Sequence, residues 1–92
     1  MDEAERHLID DFRDRVRKLA FTPMPTGRVA EARSGFEAGV ENNRLEGLHA
    51  SEGDRTFAAM LIEERVPVEL WTRLGADYAR ALIAARDAQA AA

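Results

Sequence analysis

The sequence predicts an all-α fold, a small bundle or hook of about four helices. Three observations carry that expectation. Apolar residues recur at three- and four-residue steps in four separate stretches, and no stretch alternates with the two-residue period of a strand. The joints between these stretches are short and hold the prolines and several of the glycines, where a helix is broken rather than continued. No repeat of 20–50 residues is visible. At 92 residues and 46% hydrophobic content the chain is expected to be one small domain or a helical subunit. A domain of this size buries only about 60–65% of the surface its unfolded chain exposes, so its stability is marginal and a partner could add to it.

Residues 2–20 read as the first helix. Ile9, Phe12, Val16 and Leu19 form one apolar stripe with Leu8 on its flank. Acids lead (Asp2, Glu3, Glu5, Asp10, Asp11) and bases follow (Arg13, Arg15, Arg17, Lys18), the order that complements the helix dipole. Asp14 interrupts the bases and no aromatic residues interleave with them, so they read as a solvated face rather than a nucleic-acid patch. Residues 21–27 are a proline-rich connector. Pro23 and Pro25 remove two N–H donors and push their predecessors toward extended geometry, and Thr26 is the expected N-cap of the next helix.

The second helix spans residues 28–47, with Gly47 as its stop. Val29, Ala32, Phe36, Val40 and Asn43 lie within about 40° of one line at 100° per residue, which is the expected core face. Gly35, Ala38, Asn42, Leu45 and Glu46 cluster on a second face. Gly35 and Gly39 each cost about 1 kcal/mol against alanine inside a helix, so their missing side chains should serve the close approach of another backbone. That neighbour is either a visiting partner or the first and fourth helices of the chain itself. Ser51-Glu52-Gly53-Asp54 has the spacing of a capping box, with Asp in place of the longer acid or amide. It opens a third helix, residues 51–65, that buries Phe57, Leu61 and Met60 or Ile62. The fourth helix, residues 67–88, takes Pro67 at its first position and carries Leu70, Trp71, Leu74, Tyr78, Leu82 and Ala85 inward. The alanine-rich tail is helix-permissive and prone to fray.

Catalytic machinery is sparse. The chain has no Gly-x-x-x-x-Gly-Lys loop, no Gly-x-Ser-x-Gly elbow and no His-Glu-x-x-His. His7, Asp10 and Asp11 share a helical spacing that reads as charged surface, and Glu63 and Glu64 are adjacent, hence splayed by about 100°. No enzyme, cofactor or metal is expected. Without cysteines there is no disulfide frame and no thiolate zinc site. No apolar run reaches the ~18–20 residues that span a bilayer, and the N-terminus is too charged for a secretory signal. A net charge of −4 and a pI near 5.1 argue against nucleic acid as the main ligand. The expected setting is the cytoplasm, with no membrane partner.

What stands out chemically is the stretch Glu41 to Leu48. Glycine alone adopts the left-handed conformation without steric cost, so Gly47 ends the helix and Glu46 becomes its last or next-to-last residue. An acid at the negative end of the helix dipole is disfavoured by roughly 0.3–1 kcal/mol. A carboxylate set against local preference beside a forced backbone points to work done for a partner.

Asn42-Asn43-Arg44-Leu45-Glu46-Gly47-Leu48 resembles the inhibitory motif of the antitoxins of Fic-domain toxins, the VbhA-like family. The family pattern is Ser or Thr, three residues, Glu, then Gly or Asn. Glu46 and Gly47 match it, Arg44-Leu45 completes the common Arg-Leu-Glu-Gly form, and Asn42 departs from it in standing where Ser or Thr is usual. The downstream layout is similar as well, over roughly Arg44–Leu74, whereas the first 25 or so residues have no counterpart. The resemblance implies a heterodimer with a Fic-domain toxin, an enzyme that transfers AMP from ATP to a target hydroxyl. Glu46 would occupy the toxin's γ-phosphate-binding arginine, Asn42 would orient it, Gly47 would fix the turn, and Gly35, Ala38, Gly39, Arg44 and Leu45 would line the docking surface. Two other classes stand beside this one. In the first the chain is a structural adaptor or self-associating bundle and Glu46 is ordinary surface. In the second an antitoxin also binds operator DNA, which the acidic balance opposes.

Overall fold

A computed structural model describes residues 1–91 and shows an all-α bundle drawn out into a hook. The helices are α1 (Glu3–Lys18), α2 (Thr26–Leu45), α3 (Glu52–Glu63) and α4 (Trp71–Ala91), with a 3₁₀ turn at Val68–Leu70 before α4. No strand occurs among the described residues. The radius of gyration is 14.0 Å, and the molecule measures 46 × 37 × 18 Å. A compact domain of this length has a radius near 12 Å. The excess comes from α2, which leaves the body.

The body is α1, α3 and α4 closed around three aromatic rings. Phe57 of α3 and Tyr78 of α4 stack at 4.4 Å, and Phe12 of α1 meets both edge-on at 5.6 and 5.9 Å. Ile9, Val16, Met60, Leu61, Val66 and Leu74 complete this core. The stripe expected on the first helix is therefore buried at Ile9, Phe12 and Val16, but Leu19 lies outside it and is 41% exposed. The helix ends at Lys18, short of residue 20, because the chain turns extended at Leu19 to carry Met24 under the body.

The basic face of α1 is solvent-exposed at Arg15, Arg17 and Lys18, as expected, and its arginines also pair with acids of other helices. Arg13 reaches Glu63 and Glu64 at 3.1 and 3.3 Å, Arg17 reaches Glu64 at 2.8 Å, and Arg15 reaches Asp77 of α4 at 2.8 Å. Two of them thus neutralise acids placed at the negative end of α3. Hydrogen bonding to Arg15 holds the Asp77 carboxyl below its ordinary range against the opposing effect of desolvation, with Arg80 adding to the lowering.

Two helix ends differ from expectation for local reasons. Pro25, not Thr26, caps α2. Its carbonyl accepts from the N–H groups of Arg28 and Val29, which leaves Thr26 as the first helical residue with no side-chain cap. Pro67 opens the 3₁₀ turn rather than α4 itself, so α4 starts four residues later, at Trp71, and runs on to Ala91. Trp71 is only half-buried, and its ring N–H donates to the Val66 carbonyl at 2.8 Å.

α3 stops at Glu63 through a turn that uses no glycine. Arg65 sits in the left-handed region at φ 56°. Its N–H donates to Ile62 and that of Val66 to Leu61, while Val66 is fully buried. Arg65 holds the connector in place, since its Nε donates to the Met24 carbonyl at 2.7 Å and its own carbonyl accepts from Met24 N at 2.9 Å. The left-handed conformation costs a side chain about 1–2 kcal/mol. Arg65→Ala keeps that cost and loses the Nε bond, whereas Arg65→Gly loses the bond and relieves the cost. Urea melts should accordingly show the alanine variant less stable than the glycine variant by roughly 1 kcal/mol. The reverse order would mean that the turn is not left-handed at Arg65.

Candidate functional site

α2 is 20 residues and α3 is 12. At 1.5 Å per residue these are about 30 and 18 Å long. α2 packs chiefly on α3, and beyond Val40 its end has nothing beneath it. The core face expected on α2 is correspondingly thin. Ala32 alone is buried, Val29, Phe36 and Val40 are half-buried, and Asn43 is exposed. Glu41 to His49 is exposed throughout. A shallow groove floored by Ala32 and walled by Pro23, Pro25, Val68 and Trp71 opens at the base of this arm beside Gly35.

The end of the arm is a complete glycine cap. Glu46 is the C-cap residue at φ −89°, ψ 5°, one position beyond the last helical residue, Leu45. Gly47 follows at φ 85°. The Gly47 N–H donates to the Arg44 carbonyl at 3.0 Å and the Leu48 N–H to the Asn43 carbonyl at 2.7 Å, the paired bonds that satisfy the orphan carbonyls of a helix end. In this motif the residue after the glycine often packs back on the helix. Here Leu48 is 60% exposed and Leu45 72% exposed, so both aliphatic side chains point to solvent.

Most of the residues singled out in the sequence share this arm. At 100° per residue Gly35, Gly39, Asn42 and Glu46 fall on one side of α2, with Ala38 and Leu45 at its border. A Cβ built on Gly35 or Gly39 meets nothing within 4 Å, so neither α1 nor α4 uses the missing side chains. Arg44 is the exception. It lies on the opposite side, where its guanidinium makes two hydrogen bonds to Glu41 at 3.0 and 2.6 Å. That pairing lowers the Glu41 pKa and raises that of Arg44. The Glu46 backbone N–H donates into the helix end, and among the described residues its carboxylate has no hydrogen-bond or ion-pair partner.

Past the turn, the capping box at α3 forms in full with the shorter acid. The Ser51 hydroxyl accepts from Asp54 N at 3.0 Å, and the Asp54 carboxylate accepts from Ser51 N at 3.3 Å. Ser51→Ala should destabilise the chain by about 1 kcal/mol in denaturant melts. A loss below about 0.3 kcal/mol would show the cap to be dispensable.

A second cluster escaped the sequence reading. Glu5 of α1 is buried at 8% exposure and accepts from Arg86 of α4 at 2.8 Å. Its other carboxylate oxygen lies over Gly53 of α3, 1.8 Å from where a Cβ would stand, and the Tyr78 hydroxyl is 3.3 Å from the same point. Desolvation, and secondly the nearby Glu5 charge, raises the Tyr78 pKa. The only signal in the sequence was Glu5 itself, two turns before Phe12 on the buried stripe, and its place in the first turn read as a dipole effect.

No group of three or more His, Cys, Asp or Glu side chains converges as a metal site among the described residues. His7 instead faces Glu3 at 3.4 Å on the exposed side of α1. No described helix is long and apolar enough to cross a membrane. No family model, curated protein or solved structure matches this chain.

Proposed function

We propose that this chain is an antitoxin that binds a Fic-domain toxin and inhibits its AMP transfer by setting Glu46 against the arginine that holds the ATP γ-phosphate. One observation carries the reading. The Glu46 carboxylate is exposed and unpartnered at a glycine-capped helix end, on an arm that overhangs the body. A carboxylate on a guanidinium makes a charge-assisted, bidentate pair whose strength depends on fixed geometry. The glycine cap supplies such geometry at Glu46. ATP whose phosphates are displaced loses the in-line alignment on which phosphoryl and nucleotidyl transfer depend.

In this reading the chain needs no cofactor and performs no chemistry of its own. The open face over Gly35 and Gly39 admits a helix of the toxin at close range, and Leu45 and Leu48 lend apolar area beside the motif. Asn42, one turn before Glu46, replaces the hydroxyl of the family pattern with an amide that both donates and accepts. The complex belongs where ATP and the toxin's targets meet, in the cytoplasm.

The test is transfer of labelled AMP by a Fic-domain protein purified in complex with this chain. The intact chain should silence transfer and Glu46→Gly should restore it with the complex still formed. Equal transfer with both chains, or no complex at all, would leave the structural-adaptor reading in its place.

A further inference from the structure

We infer that Glu5 is a positioning residue for the motif at Glu46, acting through the first turn of α3; the inference rests on the inhibitor reading above. Glu5 is the one charged side chain buried in the body among the described residues. Its carboxylate meets α4 at Arg86 and α3 at Gly53, so a single group joins the starts of α1 and α3 to the end of α4. The pair is buried on the Glu5 side alone, since the Arg86 side chain is 53% exposed; a buried charge adds little stability compared with apolar packing, and its best-attested use is to fix register. What is fixed here is the second residue of α3.

Only four residues, Gly47 to Ala50, separate Glu46 from the cap at Ser51. None of Glu46 to His49 is packed on the body. The position of Glu46 is therefore set from two directions, by the seat of α2 through Val29, Ala32, Phe36 and Val40 and by the first turn of α3. Past Ala32 the seat is only half-covered, at Phe36 and at Val40, six residues before Glu46. The first turn of α3 holds the other end of the connection, and a Cβ at Gly53 would stand 1.8 Å from the Glu5 carboxylate, which would have to move aside. A loosened first turn lets the connection swing and misaligns a carboxylate whose hold on a guanidinium depends on geometry.

The experiment pairs AMP transfer in the toxin complex with amide hydrogen exchange on the free full chain, for the intact protein, Glu5→Ala, Glu5→Gln and Gly53→Ala. Glu5→Gln keeps the shape and one acceptor for Arg86. In Gly53→Ala the methyl group evicts the carboxylate with Glu5 intact. Glu5→Ala and Gly53→Ala should each raise residual AMP transfer on the order of tenfold and speed exchange across residues 47–54 by about tenfold, with the amides of Leu61 and Leu74 unchanged. Glu5→Gln should stay within about twofold of the intact chain in both. The inference is overturned if Glu5→Ala and Gly53→Ala inhibit as well as the intact chain. It is equally overturned if exchange rises evenly through α3 and α4, because Glu5 then serves stability alone. If the intact chain itself leaves AMP transfer untouched, the inhibitor reading has failed first, and the Glu46→Gly control, unchanged from intact, distinguishes that case.

Discussion

Phe57→Ala is expected to remove about 3–5 kcal/mol of stability, the usual cost of deleting a buried aromatic ring. Phe57 is 5% exposed, stacks on Tyr78 and receives the edge of Phe12, so one truncation opens the contact shared by α1, α3 and α4. Aromatic pairs of this kind add roughly 0.5–1.5 kcal/mol beyond the area they bury. A chain of this size is stable by only about 5–15 kcal/mol, so the loss is a large share of the total. In thermal melts it should appear as a fall of about 15–30 °C, and in urea as a lower midpoint with an unchanged slope. Phe57→Leu, which refills most of the volume, should recover more than half of the loss. A fall of less than about 5 °C for the alanine variant would mean that α1 does not rest on α3 and α4 as described.

On the inhibitor reading proposed above, Glu46→Gln is expected to release AMP transfer almost as fully as Glu46→Gly. The amide is isosteric with the carboxylate, so shape, cap geometry and docking surface are kept and only the charge is lost. Hydrogen bonds to a charged partner are worth about 1.5–3 kcal/mol, which corresponds to roughly 10–150-fold in the rate that escapes inhibition. Binding should change little by comparison. A stable interface buries on the order of 1,200–2,000 Å², to which one side chain at the tip of an arm contributes a small part. The expected pattern is an intact complex with a freed enzyme. If Glu46→Gln inhibits as well as the intact chain and Glu46→Gly does not, steric blocking rather than charge is the mechanism. If neither variant releases transfer, Glu46 is not the inhibitory group.

The elements of this fold were legible where the cause is local. The apolar steps of Ile9, Phe12 and Val16, the Ser-x-x-acid spacing at Ser51, and Gly47 as a helix stop all follow from covalent geometry, since each needs only residues within one or two turns. The exposed arm was legible in part. Two glycines and a misplaced acid marked one face of α2 as unusual, and in the structure that face is bare. The same periodicity misled at Asn43, since a helical pattern shows which residues align and not how far the opposing helix extends. α3 is eight residues shorter than α2, and the overhang follows from that difference in length.

Other features were decided by tertiary contact alone. The left-handed Arg65 has no glycine to announce it and is held by a buried Val66 and by Met24, 41 residues away in the chain. The arginines of α1 are the solvated face the sequence indicated, but their pairing was hidden because the acids they reach lie 47 to 62 residues further on. Glu5 looked like a dipole-complementing acid, and only the closing of α1 onto α3 and α4 places its carboxylate over Gly53 and beside Arg86, 81 residues away. By itself the sequence determined the four helices, the caps at Gly47 and Ser51 and the odd chemistry of Glu46-Gly47, because propensity, capping and periodicity act within a few residues. The tertiary structure alone decided which charges are paired, which faces are covered and how far the arm extends, because burial and ion pairing depend on distances that the order of residues does not contain.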